Sequence, residues 1–204
     1  MTNQSSFKKS RAKIKKELKD RTDLEYKKRS KTCSKSNYQS YGVRTPDVRK
    51  IAKKNWKKIK YWPKEQVLDF AEFLLKTEIS ELQTIAFSWA FHLKTKLRQD
   101  DYNRFYNWLI NYVDTWFKCD DFCTHAFGYL IYKYPRLSNS LLDWTKHENR
   151  WVRRAAAVSL IFSFRRGEQL ELALKIAQEL LIDQEDMVQK GYGWMLKEAS
   201  NKWP

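Results

Sequence analysis

The sequence predicts an all-α protein whose helix pairs stack into an α-solenoid, an α–α superhelix. Only 5 Gly and 4 Pro occur in 204 residues, and a β-sandwich or barrel needs many more turn residues. Hydrophobic residues make up 42% of the chain, which is enough for a sizeable core and too many for a disordered chain. Apolar residues also recur at helical spacing, and related segments recur along the sequence.

The first elements are marked by charge and by turn residues. Residues 7–30 predict a basic helix, and residues 31–45 predict a polar loop. Thr45 is then the expected N-cap of the next helix, with Pro46 at its first helical position. That helix ends before Trp62-Pro63. We expect a single domain over 1–204, in which 1–40 form the basic N-terminal helix and loop and 41–204 form the stacked repeats.

From residue 64 onward the chain follows a repeating plan. The segment KEQVLDFAEFLLK is helical by its apolar period. Four later segments share a pattern of an apolar residue, a polar or basic pair, and then small apolar residues: LQTIAFSWA at 82, FCTHAFGYL at 122, VRRAAAVSL at 152 and VQKGYGWML at 188. Their separations of 40, 30 and 36 residues favour stacked helix pairs over the alternative, an irregular helical bundle.

Equivalent positions in a solenoid line one concave surface. In the four segments these positions are Gln83–Thr84, Thr124–His125, Arg153–Arg154 and Gln189–Lys190. We therefore expect Arg153, Arg154 and Lys190 to lie on or near one line along this surface, the polar track. Such an array of cations contacts the phosphates of DNA and not the bases. The alternative for the two arginines is a solvated pair at a helix start, or an ion pair with Glu148 or Asp120.

The net charge of +16 is confined to the N-terminal part of the chain. Residues 1–60 carry 21 Lys and Arg against 5 Asp and Glu, whereas residues 61–204 carry 19 of each sign. A basic block of this density favours nucleic acid over an anionic membrane, because residues 7–29 offer only a weak apolar face. The alternative is a solvated, lysine-rich helix. With no apolar signal region and no run that could span a bilayer, the sequence predicts a cytoplasmic protein.

The three cysteines, Cys33, Cys119 and Cys123, form no disulfide framework and fit a reducing compartment. Cys119 and Cys123 stand near His125, but no second Cys/His pair completes a zinc site. We therefore expect no metal, and we expect both of these cysteines to be buried small hydrophobes.

Trp116 and Asp120 stand one helical turn apart in VDTWFKCDDFCTHAFGYLI, so an indole and a carboxylate share a helix face. An acid beside an aromatic, in a chain that attracts anions, suggests chemistry on a cationic centre held inside a polyanion, such as an alkylated DNA base. The alternative is an ordinary core anchor beside a solvated or capping acid. Asp121 follows directly. We favour Asp120 because its i−4 neighbour is Trp116, whereas that of Asp121 is Phe117.

Four sequence blocks resemble the AlkD-like family of DNA alkylation repair proteins, which are HEAT-like-repeat DNA glycosylases. The blocks are YGVRTPDVRKIAKK at 41–54, DTWFKCDDFCTHAFGYLIYKYP at 114–135, NRWVRRAAAVSLIF at 149–162 and QKGYGWMLKEA at 189–199. They stand in the family's order and approximate spacing, and the likeness spans residues 20–204. The resemblance implies a right-handed stack of HEAT-like helix pairs that binds duplex DNA in its concave face.

The resemblance also implies an activity. Active members of that family hydrolyse the N-glycosidic bond of N3- or N7-alkylated purines in duplex DNA, without a metal or an organic cofactor. Trp116 and Trp194 match the two tryptophans that flank the deoxyribose of the lesion. Asp120 matches the catalytic aspartate, and Arg154 matches an arginine that holds phosphate near the lesion. Arg44, in the GVRTP turn, is a further candidate phosphate ligand near a helix N-terminus.

The sequence departs from some active relatives at two places. Those relatives have an aromatic residue on the N-terminal helix where this chain has Cys33, with Tyr38 and Tyr41 nearby as substitutes, and they often continue beyond the position of Pro204. The sequence-based prediction is a monomeric, monofunctional alkylpurine glycosylase. The alternatives are a non-catalytic HEAT-like protein that binds damaged or branched DNA, and a solenoid that binds acidic proteins. The presence of all four matched residues together favours the enzyme.

Overall fold

The computed structural model describes residues 3–32 and 39–203. Within those ranges the chain is an all-α helical repeat fold, and an isolated bridge between Gln39 and Ile79 is its only extended pairing. None of the helices described is long and apolar enough to cross a membrane. The chain divides into two compact units, the first ending at Leu93 and the second beginning at Lys94. The assignment of 1–204 as a single domain stays a prediction.

The first unit is built on helices α1 (Asn3–Lys19), α2 (Leu24–Thr32), α3 (Thr45–Ile59), α4 (Lys64–Leu75) and α5 (Ser80–His92). α3 and α4 both pack against α5, and α1 packs against α3 and α4. Phe7 stacks on Phe70 with ring centroids 4.8 Å apart, and Ile14 and Leu18 are buried. The weak apolar face predicted for the basic segment is therefore the face that holds α1 to its unit.

The single helix predicted over residues 7–30 is in fact two helices, α1 and α2, separated by residues 20–23. The cause of the break is local. Asp23 Oδ1 accepts a hydrogen bond of 2.8 Å from Tyr26 N, which satisfies a backbone donor in the first turn of α2. Asp23 N also donates to the Gly42 carbonyl at 2.9 Å, so the break is fixed to the loop that precedes α3.

α3 begins one residue earlier than predicted. Arg44 is its N-cap, because the Arg44 carbonyl accepts the first helical bonds from Asp47 N and Val48 N at 2.9 and 3.1 Å. Thr45 is thus the first helical residue, and no side chain of the described residues caps this end. The predicted capping role of Thr45 is wrong. Pro46 remains in the first turn, where a missing N–H leaves no helical bond unmade.

The loop before α3 is organised by one buried carboxylate, that of Glu81 on α5. Its two oxygens accept hydrogen bonds of 2.6 to 3.1 Å from a hydroxyl and three backbone amides: Ser40 Oγ and the N–H groups of Tyr41, Gly42 and Val43. Gly42 has a φ of +83°, and a Cβ there would lie 2.5 Å from Lys27 Cβ. Position 42 therefore requires glycine.

The second unit has α10 at its centre. Its α-helices are α6 (Asp101–Tyr112), α7 (Trp116–Phe122), α8 (Gly128–Lys133), α9 (Ser140–Trp144), α10 (Arg150–Val158), α11 (Ile161–Phe164), α12 (Leu170–Leu180) and α13 (Asp186–Ser200). A π-helix, Cys123–Phe127, joins α7 to α8. α10 packs against α6, α7, α9, α12 and α13, so side chains that project from α10 reach several neighbouring helices.

The predicted repeat corresponds to α5, α10, α13 and the helical rod that begins with α7. The first apolar residue of the pattern is buried in all four segments, as stacking requires: Leu82, Phe122, Val152 and Val188. The expected polar track is wrong at Gln83, which is 1% exposed. Its Nε2 donates to the Leu75 carbonyl at 3.2 Å and so satisfies a backbone acceptor at the end of α4.

Candidate functional site

Asp120 on α7 and Arg154 on α10 form an ion pair with two hydrogen bonds. Arg154 Nε donates to Oδ1 and Nη2 donates to Oδ2, each at 2.9 Å. The side chain of Arg154 is 6% exposed and that of Asp120 is 17% exposed. A guanidinium that forks onto both oxygens fixes the plane of the carboxylate, which a single bond would leave free to rotate. This pair confirms one of the two partners predicted for the arginines.

The other side of Arg154 is confined by α13. Its Nη1 donates to the Met187 carbonyl. One turn further along α13, a Cβ added to Gly191 would lie 3.0 Å from Arg154 Cγ and 3.2 Å from Nη1. Glycine therefore lets α13 approach closely enough to hold the guanidinium against Asp120. Trp194 follows Gly191 by three positions, which places the two residues on the same side of α13.

Burial affects the protonation of this pair. Burial raises the pKa of Asp120 above its usual 3.8, and the hydrogen bonds and charge of Arg154 oppose that rise without cancelling it. For Arg154, burial lowers the pKa, but the hydrogen bonds and charge of Asp120 outweigh burial and raise the pKa overall. The Asp120 carboxylate of this pair therefore takes up a proton more readily than an exposed aspartate.

Asp121, the neighbouring acid, makes different contacts. Its Oδ1 lies 4.0 Å from His125 Nδ1. His125 Nδ1 lies 3.0 Å from the carbonyl oxygen of Asp121 and 3.1 Å from Thr124 Oγ1. Asp120 is thus the acid with which Arg154 pairs. The choice of Asp120 over Asp121 as the acid that faces the lesion stays a prediction.

The two candidate tryptophans differ in exposure. Trp116, the first residue of α7, is 53% exposed, and its ring meets Phe117 edge-on with centroids 6.3 Å apart. An indole this exposed buries little area in its own fold and is available to a ligand. Trp194 is half-buried. Its Nε1 donates to Glu198 Oε1 at 3.1 Å, and Glu198 is paired with Arg165 at 3.3 Å, so two further side chains fix its pose.

One residue after Asp121, α7 ends and the helix widens into the π-helix of residues 123–127. π-Helices are rare and frequently occur at functional sites. Gly128 ends this segment, and a Cβ there would clash with the Cys123 carbonyl and lie 2.8 Å from the Ser159 carbonyl oxygen. Glycine at 128 therefore allows the rod to pass close to the backbone at the end of α10.

Arg153, a predicted phosphate ligand, is held by an acid of its own unit. Its Nε donates to Asp183 Oδ2 at 2.6 Å, and Nη2 donates to Oδ1 at 3.3 Å. Its Nη1 donates to the backbone carbonyls of His147 and Glu148, each at 2.9 Å. The ion pair that the sequence predicted between Arg153 and the Glu148 side chain is absent from the described residues; Arg153 bonds to the Glu148 carbonyl instead. The reason is that its Nε and Nη2 both donate to the Asp183 carboxylate.

The two remaining predicted phosphate ligands are also paired. Lys190 bonds to Asp186 at 2.8 Å on the exposed surface of α13. Arg44, in the first unit, bonds to Asp23 at 2.9 Å and lies over the ring of Tyr26. The backbone hydrogen bond from Tyr26, and then the bond from Arg44, lower the pKa of Asp23. The structure therefore brings Asp120 and Arg154 together, whereas Arg153, Lys190 and Arg44 have separate acidic partners.

Cys119 and Cys123 are buried thiols, as predicted. Cys119 Sγ donates to the Trp151 carbonyl at 3.6 Å. Burial, followed by the neighbouring Cys123, raises the pKa of Cys119 well above its usual 9.0, so the thiol stays protonated and unreactive. No group of three or more His, Cys, Asp or Glu that could hold a metal ion occurs in the parts of the chain described.

A family model described as "DNA alkylation repair enzyme" matches residues 14–204. The chain belongs to the DNA alkylation repair enzyme family. A solved structure described as "Predicted DNA alkylation repair enzyme from Enterococcus faecalis" is similar, with a TM-score of 0.77 and 20% sequence identity over 90% of this chain and 85% of that chain. That likeness supports the fold. No curated protein matches the sequence. Membership of the DNA alkylation repair family gives the chain a role in DNA repair, with DNA as its partner.

Two residues near the candidate site, one beside Asp120 in the chain and one against Arg154, were not predicted from the sequence. Lys118, on α7 between Trp116 and Asp120, is buried, and its Nζ lies 2.6 Å from Asp114 Oδ1. The i,i+4 spacing of Asp114 and Lys118 was the available signal. Gly191 was the other. A glycine in the interior of a helix weakens that helix, and such a residue indicates a close approach by a neighbour.

One of the two expected departures from some AlkD-like relatives concerns the N-terminal unit. Cys33 and Tyr38 lie outside the described residues. Tyr41 is half-buried, and burial, followed by the charge of Glu81, raises the pKa of its hydroxyl. Its backbone N–H is one of the donors that Glu81 accepts.

Proposed function

We propose that this DNA repair protein is a monofunctional glycosylase that hydrolyses the N-glycosidic bond of N3- and N7-alkylated purines in duplex DNA. The observation that carries the proposal is the Asp120 carboxylate, which Arg154 holds in a fixed plane one turn along α7 from an exposed indole, that of Trp116. Excision of a cationic base uses this combination of an anion and an aromatic face.

The charge of the substrate determines what the site must do. A 7-alkylguanine or a 3-alkyladenine is already cationic, so it leaves without protonation by a general acid. When the bond to C1′ breaks, its electron pair goes to the base and an oxocarbenium-like sugar develops. The Asp120 carboxylate stabilises that cation and orients a water, whose oxygen bonds to C1′ while its proton passes to the carboxylate and then to solvent. The products are a free alkylated base and an abasic site.

In this mechanism Arg154 positions the acid. Three of the five N–H donors of the guanidinium serve Asp120 and the Met187 carbonyl. The side chain is also only 6% exposed. We therefore assign Arg154 the task of fixing Asp120, in place of the phosphate contact that the resemblance implies. Each carboxylate oxygen keeps a further lone pair, which is available to a sugar or a water.

The two tryptophans supply aromatic faces for the cationic base or sugar. Each face contributes about 0.5–2 kcal/mol of cation–π attraction, depending on how far the site excludes water. Trp116 is exposed and makes one edge contact within its own helix. Trp194 is held by Glu198. We propose that Trp116, which lies on α7 with Asp120, supplies one of these aromatic faces. Trp194, on α13, supplies the other.

The proposed substrate is duplex DNA with alkylated bases, bound by a monomer without a cofactor. All of the net charge of +16 lies in residues 1–60. This charge attracts the phosphate backbone and should make binding steeply dependent on salt concentration.

The proposal is tested by incubating the purified chain with methylated duplex DNA and measuring free 7-methylguanine and 3-methyladenine. Release by the wild type, and its loss in Asp120→Asn, would support the glycosylase. Binding of methylated duplex without release of either base would instead assign the chain to the second hypothesis, a non-catalytic protein that binds damaged or branched DNA.

A further inference from the structure

The exposed surface of α3 carries charge of one sign. Between residue 49 and the C-cap at residue 60, every exposed position is basic: Arg49, Lys50, Lys53, Lys54, Lys57, Lys58 and Lys60. The positions between them are buried or half-buried: Ile51, Ala52, Asn55, Trp56 and Ile59. We call the seven basic residues the cationic face of α3.

A helix surface of this kind is unfavourable for the fold by itself. Like charges at i and i+4 repel each other and destabilise a helix. The cationic face contains four such pairs, at 49/53, 50/54, 53/57 and 54/58. Helix surfaces that serve solubility combine both signs. α12 of this chain is an example, because Lys175 bonds to Glu171 four residues earlier at 2.7 Å.

The edges of the cationic face are partly neutralised within the protein. Lys50 bonds to Asp47 and Lys54 bonds to Glu17 of α1, each at 3.0 Å. Lys53 and Lys57, one turn apart, have no ion-pair partner in the described ranges. Two unneutralised ammonium groups on a rigid helix, with further cations on both sides, are the arrangement that a polyanion would neutralise.

We propose that the cationic face of α3, centred on Lys53 and Lys57, binds the phosphate backbone of duplex DNA. For the class of ligand this inference rests on the proposed function, but it concerns affinity for duplex with or without a lesion. Each i,i+4 step advances about 6 Å along the helix, so the row formed by Arg49, Lys53 and Lys57 spans about 12 Å. That length matches the axial rise of about three phosphates on one strand.

The surroundings of the cationic face favour DNA over an anionic membrane. A helix that lies in a membrane interface needs bulky apolar side chains beside its charges. The bulky aliphatic side chains of α3 are buried in its own unit instead: Val48, Ile51 and Ile59. A phosphate backbone requires only the cations.

The test is the double variant Lys53→Gln/Lys57→Gln, compared with the control Lys146→Gln/Lys175→Gln. The control removes the same charge from lysines that have acidic partners, Glu179 at 3.8 Å and Glu171 at 2.7 Å. Affinity for an undamaged duplex is measured from low to physiological salt. The slope of log affinity against log salt should become shallower by about 1.8 in the α3 variant, because each phosphate that is no longer neutralised removes about 0.9 from the slope. The slope should stay unchanged in the control.

Folding of the α3 variant is checked by thermal unfolding. No destabilisation is expected, because glutamine is a good helix former and the substitutions relieve like-charge repulsion along α3. Substitution is preferable to truncation, since α1 contributes Phe7, Ile14 and Leu18 to the core. Equal changes in both double variants, or no change in either, would overturn the inference. A variant that loses affinity for phosphatidylserine vesicles but not for duplex would assign the cationic face to membranes.

The excision assay separates this inference from the proposed function. If the wild type releases no alkylpurine while the slope of log affinity against log salt still becomes shallower in the α3 variant, the glycosylase proposal fails and the DNA-binding surface stands. If the wild type excises alkylpurines and the α3 variant keeps the full slope, the glycosylase stands and the surface does not.

Discussion

Arg154 and Asp120 join α10 to α7 through two hydrogen bonds of equal length, 2.9 Å. The pair has a structural role beside the chemical one proposed for it, because a charge left buried without its partner strongly destabilises a protein. Variants at either position therefore need an unfolding measurement beside the excision assay, so that loss of chemistry is distinguished from loss of fold.

Asp120→Asn should lower excision of 7-methylguanine by about 10²–10³, as for the loss of one preorganised electrostatic group. Asparagine keeps the size of the side chain but removes the charge that stabilises the oxocarbenium-like sugar. Duplex affinity should be largely kept. Asp121→Asn is the matched control, and its effect should be much milder. Normal release of 7-methylguanine by the Asp120 variant, together with no release by the Asp121 variant, would show that the catalytic acid is Asp121.

The excision rate should fall at acid pH, with a midpoint above the ordinary aspartate pKa of 3.8. The carboxylate is the reactive form, and burial raises its pKa, so protonation removes activity at a higher pH than for an exposed aspartate. Arg154→Met removes the hydrogen bonds and charge that oppose burial. The acid limb should then move to still higher pH. Single-turnover pH profiles of both proteins measure the shift, and an unchanged midpoint would contradict the assigned role of Arg154.

Gly191→Ala should lower excision by about ten- to a hundredfold, because the added Cβ lies 3.0 Å from Arg154 Cγ and pushes the arginine, and with it the acid, out of position. Gly193→Ala is the control on the same helix, since a Cβ there has no neighbour within 4 Å. Alanine in a helix interior should raise the free energy of unfolding of that control by about 0.5–1 kcal/mol. Equal activity of the two variants would rule out confinement of Arg154 by Gly191.

Trp116→Ala should slow excision without lowering thermal stability, because the indole is 53% exposed and its removal leaves no cavity in the core. Loss of one cation–π face of about 0.5–2 kcal/mol corresponds to a fall of about 2- to 30-fold. Trp116→Phe keeps an aromatic face and should be intermediate. Trp108→Ala, by contrast, removes an indole that is 1% exposed and should lower the free energy of unfolding by about 3–5 kcal/mol. A full excision rate in Trp116→Ala would remove this residue from the site.

The apolar period predicted α4 and the buried residue that begins each of the four repeat segments. α4 starts directly after Trp62-Pro63, and Leu82, Phe122, Val152 and Val188 are buried, because burial of apolar area follows the helical spacing. The break between α1 and α2 was missed because it depends on one side chain, Asp23, whose carboxylate competes for a backbone donor that a longer helix would bond internally.

The candidate site was predictable as a set of residue types and not as a geometry. The sequence named Asp120 and Arg154 and offered their pairing as one alternative among several. Confinement of that pair depends on the Met187 carbonyl and on the space left at Gly191, which arise only when α13 packs against α10. Long-range contacts of this kind produce no periodic pattern in the sequence. The four hydrogen bonds that the Glu81 carboxylate accepts are another example.

The π-helix at residues 123–127 determines how far α8 is rotated about the helix axis relative to α7. The extra residue turns α8 by about 100° relative to an uninterrupted α-helix. α7 carries Asp120, while α8 buries Leu130 and Ile131. Deleting one residue between them would restore regular hydrogen bonding and turn one of these faces away from its partner. The number of residues in this segment, and not their identity, therefore determines how the face with Asp120 is oriented relative to the buried face of α8. Deletion of a single codon there would keep the helices but lose their alignment.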